Sequence, residues 1–332
     1  MAGTMVSETP PGAARLKAWV RAFRLRDHAT GAGFVLLLIL ATIMGWPNFL
    51  QPRNLLNILR QISYTGIIGL GMTLIIISGG IDLSVGSMTA FTGGITIFFL
   101  NLLPTGSHLS VAFTALFAVL FGAFCGLLNG FLVTRGRIAP FIATLGTMSI
   151  FRSLIQYFSG SGNILSLSTV YPEVGSGVVL GVPVPVWVFA AAAIVLHIVL
   201  NNTRFGRHVC AVGANEQVAR YSAINVSLVR LIPYVITGFT VGLTSLLWSS
   251  RLNCINPSDC AYYELDAIAA VVIGGTSMAG GKGTIAGTVL GAIMLGIINN
   301  MLVLGSVSSY LQQAAKGIVI IAAVLLQYNS RN

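Results

Sequence analysis

Charge is the scarcest property of this sequence. Only 8% of its 332 residues are Asp, Glu, Lys or Arg, and eight are acidic. Soluble domains carry about 25% charge. A soluble chain of this length could not hide so much apolar surface, because surface grows too fast with size. Histidine is sparse too: His28, His108, His197 and His208 stand at no metal spacing from one another. The four cysteines, Cys125, Cys210, Cys254 and Cys260, form no CxxC pair and no Cys/His set. No GxSxG elbow is present. These absences argue against a membrane enzyme and against a bound metal or cofactor. An ion-coupled secondary transporter would need carboxylates within the membrane, and Asp82 alone qualifies.

What is abundant is apolar. Mean hydropathy is +0.87. A spanning helix needs about 20 apolar residues. Candidate spans lie at 33–48, 61–80, 84–104, 109–133, 138–158, 185–201, 232–250, 264–280, 284–304 and 310–328. The fold class is therefore an all-α polytopic membrane protein with about ten transmembrane helices. Residues 33–328 form one transmembrane domain after a basic segment, 1–32, in which 15–26 has the spacing of an interfacial helix. Thirty-eight glycines suit helices packed closely in lipid. No cleavable signal peptide is evident.

The net charge of +10 fits the positive-inside bias better than nucleic-acid binding. With both termini in the cytoplasm, the inside segments hold the five N-terminal bases, then Arg135, Arg137, Arg204, Arg207, Arg220, Arg230, Lys282 and Arg331. The outside loops hold Arg53, Arg60 and Arg251, while Arg152 and Lys316 fall within spans. The outside loop 159–184 is either a cover or a loose connector, with the connector slightly favoured.

Two turns look alike. SGGIDLSVGS (78–87) and IGGTSMAGGKGT (273–284) each place a glycine pair after one apolar run and small residues before the next. Either pair of runs permits a re-entrant segment. An internal repeat and a chance likeness both account for the similarity. The second turn is not a phosphate loop: Thr276 stands where a glycine is required, and Gly283 follows Lys282. In the first, Asp82 precedes Ser84 and either caps the next helix or lines a translocation path or gate. Arg152, Gln312 and Lys316 are the other polar candidates for the path. Lys316 is close enough to a span end to snorkel, and with Gln312 and Gln313 it makes a polar stripe expected to face the bundle interior. Glu264 and Asp266 open a span, where they offset the helix dipole or dock an outside partner. A Cys254–Cys260 disulfide is one option in an oxidising periplasm.

The inside loop 202–231 contains GANEQVARYSAINV. Val218, Tyr221 and Ile224 recur at helical spacing, Asn215 is placed to cap, and Glu216 falls in the first turn. Such a helix suits either a soluble partner or lipid headgroups.

GMTLIIISGGIDLSVGS, PFIATLGTMSIFR, TRFGRHVCAVGANEQVARYSAINV, YELDAIAAVVIGGTSMAGGKGTIAGTVLGA and QQAAKGIVIIAAVLLQ run in order from about residue 60 to the C-terminus. In these stretches the chain resembles the permease subunits of bacterial ABC importers of the ribose, galactose, xylose and autoinducer-2 class. The resemblance implies a multi-pass permease of the bacterial inner membrane, paired with a second permease copy as a homodimer or, less often, a heterodimer. It implies a separate ATPase subunit that binds ATP and magnesium, and a periplasmic binding protein that delivers a sugar. It also implies that Gly213–Val226 carries the coupling helix, with Gly213, Asn215, Glu216, Ala219, Arg220 and Ile224 meeting the ATPase. The chain departs from the pattern at GAN, at Tyr221-Ser222-Ala223 and at the two outside cysteines. A related class, the branched-chain amino acid permeases, is the closest alternative.

Overall fold

The computed structural model describes residue 31 and residues 33–329. The basic segment before them, with its expected interfacial helix, and the tail at Arg331 lie outside the described residues. The ten apolar stretches each hold a helix: α1 (Gly33–Met44), α2 (Pro52–Ile77), α3 (Val85–Asn101), α4 (His108–Thr134), α5 (Pro140–Ser159), α7 (Val184–Asn202), α10 (Val226–Leu252), α11 (Tyr263–Ile273), α12 (Ile285–Leu304) and α13 (Ser309–Asn329). Three short helices fill connections: α6 (Pro172–Ser176), α8 (Arg204–Ala214) and α9 (Glu216–Tyr221).

Five of these helices, α2, α4, α7, α10 and α12, are long and apolar enough to cross a membrane. The boundaries correct the sequence reading in three places. Pro52 begins α2 nine residues ahead of the expected start at 61, because proline is pre-organised for a first helical turn. Arg53 and Arg60 therefore belong to a helix rather than a loop, and Arg251 lies in the last turn of α10. The stretch 264–280 is not one span. α11 has 11 residues, about 16 Å of helix, too short for a hydrocarbon core of about 30 Å.

What stops α11 also stops α2. Gly79 (φ 84°) and Gly275 (φ 85°) both adopt the left-handed conformation just past their helices. Gly79 N–H donates to Ile76 O and Gly80 N–H to Ile75 O; Gly275 N–H donates to Val272 O and Thr276 N–H to Val271 O. This paired pattern closes orphan carbonyls at a helix end. The two look-alike turns thus share one backbone geometry.

The packing follows the glycines. A Cβ on Gly122 would meet Gly238 O at 2.4 Å, and one on Gly126 would meet Tyr234 O at 2.2 Å, so α4 and α10 cross in backbone contact. The core joins α2, α3, α4, α10 and α11 through Ile68, Met72, Val85, Met88, Ala118, Tyr234 and Val271. The 159–184 connection is not loose. β1 (Ile164–Leu165) pairs antiparallel with β4 (Cys254–Ile255), and β2 (Val178–Val179) with β3 (Val182–Pro183). The buried Tyr171 hydroxyl bonds the Ser249 hydroxyl at 2.7 Å. All four cysteines are free thiols.

Candidate functional site

One face of the bundle gathers the ends of α2 and α4, the start of α5, and α8, α9 and the base of α10. Thr203 caps α8 by accepting from Gly206 N–H at 3.2 Å. Asn215 Oδ1 caps α9 by accepting from Gln217 N–H and Val218 N–H at 3.0 and 3.1 Å. Only six residues long, α9 holds its place through ion pairs. The Glu216 carboxylate accepts from Arg220 at 2.6 Å and from Arg230 of α10 at 2.8 Å. Partial burial, the largest influence, pushes the Glu216 carboxyl up. The Arg220 hydrogen bond and the Arg230 and Arg220 charges together outweigh it and hold the group below its ordinary value. Ala219 is buried, whereas Val218 and Tyr221 are 57% and 89% exposed. An apolar pair this open on a capped helix leaves unpartnered surface.

Gly213 ends α8 against the bundle. A Cβ there would meet Ile77 O at 1.7 Å and Gly281 N at 2.7 Å. Gly281 N–H in turn donates to Ile77 O at 2.8 Å. The arm that leads to α9 therefore touches both glycine turns by backbone. Beside it opens a cavity of about 1050 Å³ lined by Gly79, Arg135, Arg137, Arg220, Ile224 and Arg230, among others.

Asp82 is fully buried, as is Ser84. Asp82 Oδ1 accepts from Ser84 N–H at 2.8 Å and from Ser84 Oγ at 2.7 Å, and Oδ2 accepts from Asn129 Nδ2 at 3.1 Å. The carboxylate is thus enclosed by its partners rather than exposed. It forms an Asx turn leading into α3 and ties that turn to α4. Neither Asp82 nor Ser84 lines the two cavities described here. The sequence reading missed Asn129 and Arg230. An amide inside the apolar run CGLLNGFLV was the signal for the first; Arg230 gave none, since its partner lies on another helix.

Lys316 is paired within the protein. Its Nζ donates to Asp266 Oδ2 at 2.9 Å, joining α13 to α11. Gln312 donates to Val307 O at 2.7 Å. Arg152 donates to the carbonyls of Pro257 and Asp259 and lines a second cavity, of about 350 Å³. The proposed path residues therefore do not converge: Asp82 and Ser84 are packed inside, Arg152 faces one cavity, and Gln312 and Lys316 lie on α13.

Apolar helices, some long enough to span and others stopped by glycine turns, with a capped helical arm on one face, make up a membrane permease. The chain belongs to the family described as branched-chain amino acid transport system / permease component, which it matches over residues 54–324. It is a transport component rather than an enzyme. It is 42% identical over 300 residues to the ribose import permease protein RbsC of Bacillus subtilis (strain 168), covering 89% of this chain and 90% of that protein. Against RbsC of Escherichia coli (strain K12) the identity is 40% over 314 residues, covering 93% and 94%. The D-allose transport system permease protein AlsC of the same strain is 36% identical over 296 residues, covering 88% and 90%. No solved structure matches the chain.

Proposed function

We propose that this chain is the membrane-spanning subunit of an ATP-driven importer that moves a sugar or sugar-like solute across the bacterial inner membrane. The names of its relatives, which are ribose and allose import permeases, support the substrate class. The working assembly is two permease copies, two copies of an ATPase subunit and a periplasmic binding protein. ATP and magnesium belong to the ATPase, and this chain needs no cofactor of its own. The positive-inside bias supports both termini, α8 and α9 in the cytoplasm. Cysteine labelling from each side tests that arrangement: residue 215 reacts from inside and residue 170 from outside, or the topology is wrong.

The observation that carries the mechanism is the contact of the α8–α9 arm with the bundle. Val218 and Tyr221 offer the ATPase an exposed apolar surface. Gly213 passes displacement to the end of α2, and Glu216 passes it through Arg230 to α10. Both helices belong to the packed core, so they shift as bodies rather than bend. The two copies rock, and the path between them opens to one side at a time. ATP and the loaded binding protein must each favour one of the two states. Asp82 serves here to position the start of α3 against α4.

The combined change Glu216→Ala with Arg220→Ala is expected to abolish uptake while insertion and dimerisation persist. Undiminished uptake in that variant refutes docking through α9. A second reading, transport of branched-chain amino acids, follows the family's own description; leucine uptake by the purified complex, with no sugar uptake, would establish it.

A further inference from the structure

The cavity of about 350 Å³ is lined by Ser87 of α3, Ser149, Arg152 and Ser153 of α5, and Tyr262 and Glu264 at the start of α11. Its size falls within the range of small-molecule sites, about 300–1,000 Å³. Three features mark it as built rather than incidental.

The first is polarity where lipid would forbid it. Ser149, Ser153 and Gln156 are exposed along one face of α5, at i, i+4 and i+7. Exposed polar side chains on a membrane helix face water, a solute or a second subunit, not hydrocarbon. The second is a strained loop. Cys260 (φ 56°) and Tyr262 (φ 68°) both hold left-handed backbone. For a side chain as bulky as tyrosine this conformation persists only where its surroundings impose it. Arg152 imposes it in part, by donating to the carbonyls of Pro257 and Asp259, and the Asp259 carboxylate imposes more by accepting from Asn256 N–H at 2.8 Å. The loop holds Tyr262 half-exposed at the cavity. The third is the seat of Glu264. A Cβ on Gly86 would meet Glu264 Oε2 at 2.3 Å and Cys260 O at 2.5 Å. Only glycine in the first turn of α3 lets this carboxylate and the strained loop lie so close.

The chemistry of the set is specific. Serine hydroxyls donate and accept, the guanidinium donates, the carboxylate accepts, and the ring offers a flat apolar face. Opposed donors and acceptors around one aromatic ring suit a neutral ring compound bearing several hydroxyls. We propose that this cavity is a contact station for the sugar on its way through the permease, with Tyr262 against the ring and Glu264 and the serines on its hydroxyls. Arg152 is a positioning residue, because it fixes the loop that carries Tyr262. The inference rests on the importer reading and adds to it the place where this chain meets its substrate. A site open to one side holds a sugar weakly, as a path that must release it requires.

The test uses the full complex in proteoliposomes, with radiolabelled ribose as the probe and ATP hydrolysis measured in parallel. Ser149 and Tyr262 are exposed, so Ser149→Leu and Tyr262→Ala remove no packed core contact. Each is expected to lower ribose uptake about tenfold, the loss of one good contact, while hydrolysis stimulated by the binding protein is retained. Tyr262→Phe, which keeps the ring, is expected to retain uptake. Wild-type uptake in both Ser149→Leu and Tyr262→Ala overturns the station and leaves the importer reading standing. Loss of hydrolysis in step with uptake also overturns it, since the residues would then serve coupling. A wild-type complex that hydrolyses ATP but moves no sugar overturns both.

Discussion

Replacing Gly213 by alanine puts one methyl group at the joint between the α8–α9 arm and the bundle. An ideal Cβ at this position lies 1.7 Å from Ile77 O, whereas real Cβ contacts essentially never fall below 3.0 Å. The arm and the end of α2 must therefore separate by about 1.3 Å, the difference between those two distances. Neither side can yield by rotating a side chain, because Ile77 O is backbone and a Cβ is fixed by the backbone that carries it. Overpacking of this kind costs about 1–3 kcal/mol. If the movement also breaks the hydrogen bond from Gly281 N–H to Ile77 O, about 0.5–1.5 kcal/mol is added. The expected total is about 1.5–4.5 kcal/mol, concentrated where the arm transmits motion. In the purified complex the variant should melt earlier, and ATP hydrolysis should lose its dependence on the loaded binding protein. Membrane insertion should be unaffected, since no apolar span changes. Gly317→Ala is the control: nothing lies within 4 Å of its ideal Cβ, so alanine within α13 should stabilise by about 0.5–1 kcal/mol. If Gly213→Ala behaves like Gly317→Ala in melting and in coupling, the joint carries no displacement and the argument fails.

Further outcomes are expected. Lys316→Ala leaves the partly buried Asp266 without its cation and should destabilise by less than about 3–5 kcal/mol, the range for a fully buried broken pair; the exchange Asp266→Lys with Lys316→Asp should recover part of the loss, and no recovery in melting would argue against pairing. Asp82→Ala strands the buried Ser84 N–H, at about 1–3 kcal/mol, and takes the acceptor from the Ser84 hydroxyl, which keeps only its bond from Asn129 Nδ2; the variant should insert or assemble poorly. Asp82→Asn keeps an acceptor for Ser84 but sets an amide against the Asn129 amide, so it should be intermediate in stability; if it folds fully yet does not transport, the charge itself serves the gate. The Glu216 carboxyl is held below its ordinary value, so its contribution is present above the unfolded pKa of about 4.3 and lost as pH falls through the lower folded value. The melting difference between wild type and Glu216→Gln should thus be flat between about pH 6 and 8 and shrink only in stronger acid; a difference that fades near neutrality would contradict the pairing with Arg220 and Arg230.

What the sequence by itself determined was the class and the local signals. Low charge and long apolar runs require a membrane protein, because no soluble fold could bury them. Pro52 and Pro140 mark helix starts, Asn215 caps α9, and the glycine pairs at 79–80 and 274–275 stop helices by a local rule. Each of these signals acts within a few residues and needs no partner. What only the tertiary structure decided was every pairing across the chain. Asp82 with Asn129, Glu216 with Arg230 and Lys316 with Asp266 join residues 47, 14 and 50 positions apart. Nothing in hydropathy or helical period selects them. The 11-residue length of α11 is a different case: hydropathy alone extended it to 280, and the local stop at Gly274–Gly275 ends it at Ile273. Gly275 turns left-handed just past Ile273, and in the packed fold the chain returns to meet Ile77 at Gly281. Hydrophobicity sets which segments leave water, and it is non-directional. Which of their few polar groups meet is set by backbone contacts at Gly86, Gly122, Gly126 and Gly213, whose geometry exists only once the helices are packed.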